Sequence, residues 1–144
     1  MTSVLMILSA ADHWTLKDGS KHPTGFWAEE FLAPYNKFKE AGWDVVVATP
    51  GGQKPTVDQT SLSVKGGLLP NKIATLKDEL ARLATVLDAP ENLSNVDPDA
   101  FDVVFYPGGH APMEDLAYDE VSGAIIRKRK SLSPAARHRS SPRP

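Results

Sequence analysis

The sequence predicts an α/β domain built on a parallel β-sheet, and three observations predict it. Val4 to Leu8 form a short unbroken apolar run, the pattern of a strand covered on both faces. A helical stretch and a second apolar run, Trp43 to Ala48, follow at the length of a βαβ crossover, which is parallel and right-handed. A third run, Val103 to Tyr106, ends in Pro107-Gly108-Gly109-His110, a glycine turn of the kind found beyond the carboxyl ends of parallel strands.

Each element has its own signal. Residues 12–23 carry Asp12, Asp18, Gly19 and Pro23 and read as a surface loop. From Gly25 to Ala41, Phe26, Trp27, Phe31, Tyr35 and Phe38 recur at helical spacing, and Gly42 is placed to stop the helix. Pro34 inside this stretch predicts a kink, or two pieces with Pro34 opening the second. The loop-like segment 53–71 precedes an amphipathic helix over about 72–88, marked by Ile73, Leu76, Leu80, Leu83 and Leu87. Asp97-Pro98-Asp99 turns the chain into the third strand, and a further helix is expected from Tyr118 to about Lys130.

With 144 residues the chain suits one domain. Its hydrophobic and charged fractions, 41% and 24%, are ordinary for a globular protein. No apolar run approaches the roughly 20 residues of a membrane span, and the N-terminus has neither a basic segment nor a cleavage site, so a cytoplasmic, membrane-free protein is expected. The absence of cysteine excludes disulfides, thiolate metal sites and a Cys nucleophile from these residues.

The net charge of −2 hides an asymmetry. Residues 1–126 hold all 18 Asp/Glu, whereas 127–144 are rich in Arg, Ser and Pro with no acid. That shift predicts a boundary between an ordered body, 1–126, and a basic tail, 127–144, expected to be disordered. The tail lacks interleaved aromatics and follows an acidic body, so a nucleic-acid partner is not expected.

Two features could carry chemistry. Gly108 and Gly109 would let the backbone turn so that N–H groups face an anion or a developing oxyanion, although such a turn also serves as a plain connection. Glu29 and Glu30 point about 100° apart on a helix. One of them could sit against apolar surface, where desolvation suits a carboxyl to proton transfer, or both could be solvated first-turn acids. A His22/Glu30/His110 metal site has no i,i+4 pair behind it, and surface histidines are the favoured reading.

The segments TGFWAEEFLAPYNKFKEAGWDVVVATPGG (24–52) and VDPDAFDVVFYPGGHAPMEDLAYDE (96–120) resemble the ThiJ/PfpI superfamily, within the class I glutamine amidotransferase-like proteins. The nearest branch holds glutathione-independent glyoxalases (glyoxalase III, D-lactate dehydratase) and related stress chaperones. The resemblance implies a flavodoxin-like parallel sheet flanked by helices. It implies a site made of a Cys nucleophile on a strand-to-helix elbow, a His beside it, and a glutamate matching Glu30. Gly108, Gly109 and His110 would lie on the binding side of that site. It further implies a small aldehyde such as methylglyoxal as substrate, lactate as product, and no metal or other cofactor.

The family-like text fades near Arg127, so the chain is expected to stop short of the Cys-His elbow and to be inactive as an enzyme. A non-enzymatic binding or holdase module is the alternative, with self-association through an incomplete sheet. A flavin or nucleotide binder is weaker, because no phosphate loop follows Val4–Leu8.

Overall fold

The computed structural model describes residues 1–131. Strand β1 (Ser3–Ile7) lies inside a four-stranded parallel sheet of order β5-β4-β1-β6, with β4 at Asp44–Thr49, β5 at Glu91–Asn92 and β6 at Val103–Phe105. Ser3 stands opposite Asp44 and Ile7 opposite Ala48; on the other side Val4 faces Val103 and Met6 faces Phe105. Helix α1 (Ala28–Glu40) connects β1 to β4, as the crossover spacing predicts. The α/β class and parallel sheet expected from the sequence are those observed.

Alternation along β1 explains why its apolar run has no polar break. Val4, Met6 and Leu8 join one core with Phe26, Phe31, Leu32, Tyr35 and Leu76. Leu5 and Ile7 join a second core with Leu93, Leu116 and Ile125. Because successive strand side chains point to opposite faces, a strand feeding two cores must be apolar throughout.

Four details depart from the sequence reading. The segment read as a surface loop contains an antiparallel hairpin, β2 (His13–Thr15) with β3 (Lys21–Pro23). Its β3 residues are all exposed, so no buried-polar alternation advertised it. Pro34 splits nothing: α1 runs through it and ends before Gly42 at φ +77. The second helix begins at Pro70, a residue suited to the first turn, and breaks at Leu83 into α2 (Pro70–Arg82) and α3 (Ala84–Asp88). Leu76 and Leu87 are buried in one core and Leu80 and Leu83 pack against it, so apolar spacing cannot see the break. Lastly, β5 is only two residues long, below what any pattern resolves.

Helix α4 (Glu120–Ser131) extends into the stretch assigned to the basic tail; the remainder of that stretch, 132–144, lies outside the described residues. No helix among the described residues is long and apolar enough to cross a membrane.

Candidate active site

The carboxyl end of β6 and the start of α1 meet at one place. Residues 24–27 lead into α1, and their backbone grips the glycine turn after β6. Phe26 and Gly109 form an antiparallel bridge, and the Trp27 N–H donates to the Gly108 carbonyl at 2.9 Å. This contact sets the first turn of α1, and with it Glu30, against the turn.

The two glycines serve different ends. A Cβ on Gly108 would lie 2.6 to 2.8 Å from Glu30 Oε2, Oε1 and Cδ, so the missing side chain is the space the carboxylate occupies. Gly109 has φ +130, and a Cβ there would lie 2.4 Å from the Gly25 carbonyl oxygen. It is glycine for its backbone.

The adjacent carboxylates diverge. Glu29 is half-buried and pairs with Lys72 Nζ at 3.7 Å. Glu30 is exposed and, among the described residues, makes no ion pair or side-chain hydrogen bond. Glu30 is not an acid buried against apolar surface: Phe26 and Phe31 enter the core, while Glu30 is exposed with its carboxylate beside Gly108. Of the remaining named residues, His110 is exposed, its ring 5.7 Å from Trp14 and 6.1 Å from His22. The structure thus brings His22 and His110 together, yet no group of three His, Cys, Asp or Glu among the described residues could hold a metal ion.

Two carboxylates that sequence reasoning passed over hold the loop behind His110. Asp115 accepts from Ser9 Oγ at 2.7 Å, Ala10 N at 2.8 Å and Leu116 N at 2.7 Å, tying the end of β1 to this loop. Glu114 accepts from Thr15 N at 2.7 Å and Thr15 Oγ1 at 2.9 Å, and lies 3.2 Å from His13 Nε2. The Thr15 amide, then its hydroxyl, hold the Glu114 carboxyl below its ordinary range. Asp12, 2.7 Å from His13 Nδ1, is likewise lowered, chiefly by that hydrogen bond. Partners about 100 residues apart in sequence leave no local signal.

The ThiJ/PfpI family-like model matches residues 22–126. A protein/nucleic acid deglycase HchA of Staphylococcus aureus strain MRSA252 is 30% identical over 117 residues, 81% of this chain and 40% of that protein. Glyoxalase III of Candida albicans superimposes with a TM-score of 0.71 at 22% identity, over 92% of this chain and 54% of that one. The Rapid Encystment Protein of 24 kDa from Francisella tularensis gives a TM-score of 0.68 at 19% identity, over 92% and 55%. The chain therefore spans less than half the length of that curated relative and about half that of the solved structures. With a family model covering most of its length and a parallel sheet that superimposes on theirs, the chain belongs to the ThiJ/PfpI family.

Proposed function

We propose that these residues carry the glutamate side of a carbonyl-processing site, and that the 144-residue polypeptide turns over no methylglyoxal by itself. The observation behind this reading is the Glu30 carboxylate, unpaired among the described residues and seated in the space that Gly108 leaves open, in a sequence with no cysteine. Converting an α-oxoaldehyde to a hydroxy acid adds water overall and moves hydrogen from the aldehyde carbon to its neighbour. A nucleophile adds to the aldehyde, a base takes the C–H proton, the same group returns it to the adjacent carbon, and water releases the acid. Glu30 fits the proton-carrying role, since an exposed carboxylate without a fixed partner is free to accept and return a proton. The adduct that makes the C–H acidic needs a nucleophile, and this sequence has no cysteine to supply a thiolate.

The proposed substrate class is small reactive aldehydes. The S. aureus relative is by name a deglycase of protein and nucleic acid, so carbonyl adducts on macromolecules join that class. The expectation of no nucleic-acid partner is not carried forward. Incubating the purified chain with methylglyoxal while following aldehyde loss and D-lactate checks the reading. No turnover above buffer is expected, with E30Q indistinguishable from the parent chain. Turnover that E30Q abolishes overturns it.

A second reading, a binding or holdase module, is favoured by one specific observation. Strand β6 pairs with β1 on one side only among the described residues. Beside it a groove of about 550 Å³ is lined by Val103, Val104, Tyr106, Ile125 and Ile126. Suppression of client aggregation by the chain is the expected result on this reading; a strictly monomeric chain without that effect sinks it.

A further inference from the structure

We infer that Ser61, held by the main-chain carbonyl of buried Asp58, is the positioning residue for Glu30. It caps the first turn of α1 from outside the helix and so sets where the Glu30 carboxylate meets Gly108. The inference rests on the reading of Glu30 as the proton carrier.

Helix α1 has no cap of its own. Its N-cap residue is Trp27, which makes no side-chain capping bond, yet the first N–H groups of a helix need acceptors. Ser61 supplies one from a distant loop: its Oγ accepts from the Ala28 N–H at 3.0 Å and donates to the Asp58 carbonyl at 2.5 Å. Ser61 is 1% exposed and Asp58 5%. The Asp58 carboxylate accepts from Thr24 Oγ1 and from the Thr60 N–H, both at 2.8 Å.

Main-chain bonds complete the clamp. The Asp58 N–H donates to the Phe26 carbonyl and the Phe26 N–H to the Thr56 carbonyl, each at 2.9 Å. Gly25 lies so close to Thr56 that a Cβ would sit 2.0 Å from its carbonyl oxygen. The clamped segment is the one that holds the glycine turn, through Trp27 N to Gly108 O and the Phe26–Gly109 bridge.

Among the described residues Glu30 makes no side-chain hydrogen bond or ion pair that would fix it. Its place relative to Gly108 is inherited from the helix start, and the helix start is held by Ser61. A buried hydroxyl and a buried carboxylate cost desolvation that apolar residues would avoid. A fully bonded polar network returns one defined geometry, which is what an unpartnered proton carrier requires.

The test is NMR of the isotopically labelled chain, with the Gly108 amide shift compared between the parent and E30Q. That exchange removes the carboxylate beside the turn, and the Gly108 amide should move. In an S61A background the same E30Q exchange is expected to move Gly108 by about half as much or less, because the field of a charge falls with distance. S61T, which keeps the hydroxyl, is expected to restore the full response. A lost cap would by itself lower the melting temperature without changing the Gly108 response to E30Q. A response in S61A as large as that in the parent chain overturns the inference. Should S61A fail to fold, S61C, close in shape with a weaker acceptor, is read the same way: a reduced response supports the positioning role and an unchanged one overturns it. The comparison involves no turnover, so it succeeds or fails independently of the methylglyoxal assay.

Discussion

Gly108 and Gly109 are neighbours with opposite sensitivities. At Gly108 the three atoms nearest to an added methyl, all within 3 Å, belong to the far end of the Glu30 side chain, which can swing away. G108A should therefore unfold within about 0.5 kcal/mol of the parent chain while displacing the Glu30 carboxylate from the turn. At Gly109 the obstacle is the Gly25 carbonyl oxygen, and φ +130 excludes most side chains. G109A should cost about 1–3 kcal/mol or more. Thermal unfolding of the two variants separates them; equal losses would refute the division of labour. The sequence showed a glycine turn at 107–110 and singled out Glu30, both by residue type. It could not show that one glycine makes room for the acid and the other for the backbone, because that distinction lies in contacts with residues 25–30.

Elements follow a similar rule: those with a buried face were legible and those without were not. The periodicity of Leu76, Leu80 and Leu87 marked the second helix because these side chains enter the core, Leu76 being 2% exposed. L76A should accordingly cost about 2–5 kcal/mol, read by denaturant unfolding. The hairpin of β2 and β3 has no such face. It is held by polar contacts to the loop after β6, above all Thr15 and His13 to Glu114.

Those contacts make the hairpin pH-dependent, with a defined sign. Glu114 has its folded carboxyl lowered by the Thr15 amide and hydroxyl. Its contribution is present in full above the ordinary glutamate value of 4.5 and fades as pH falls through the lower folded value. Trp14 reports this, since it belongs to the hairpin and its ring lies tilted 5.7 Å from that of His110. Trp14 fluorescence should change on acidification below that range, and E114Q should show the acidified signal already at neutral pH. An E114Q spectrum matching the parent at neutral pH would remove Glu114 from the clasp.

At the scale of the whole molecule, the charge asymmetry and the sheet edge belong together. Arg129, the third basic residue of the run that begins at Arg127, donates to the carbonyls of Pro98 and Phe101 and, at 3.3 Å, to that of Asp102. Lys128 pairs with Asp99. The last turn of α4 is thereby fastened to the base of β6, so part of the basic run serves the body's own strand. Composition alone shows a change of charge at 127 but not which arginine crosses back.

That fastening leaves the outer edge of β6 and the face of α4 side by side. Among the described residues the outer edge of β6 has no strand partner, and such an edge beside apolar side chains favours association. Ile126, 52% exposed, stands at the groove. Exchanging it for Asp adds charge to the patch and removes no core contact, because the buried member of that helix face is Ile125, at 3%. I126D should sediment with a smaller mean mass than the parent chain at equal concentration, and its melting temperature at high dilution should match. A parent chain already monomeric across the accessible concentrations would refute association through this edge. A variant that associates as strongly as the parent would move the contact elsewhere on the surface.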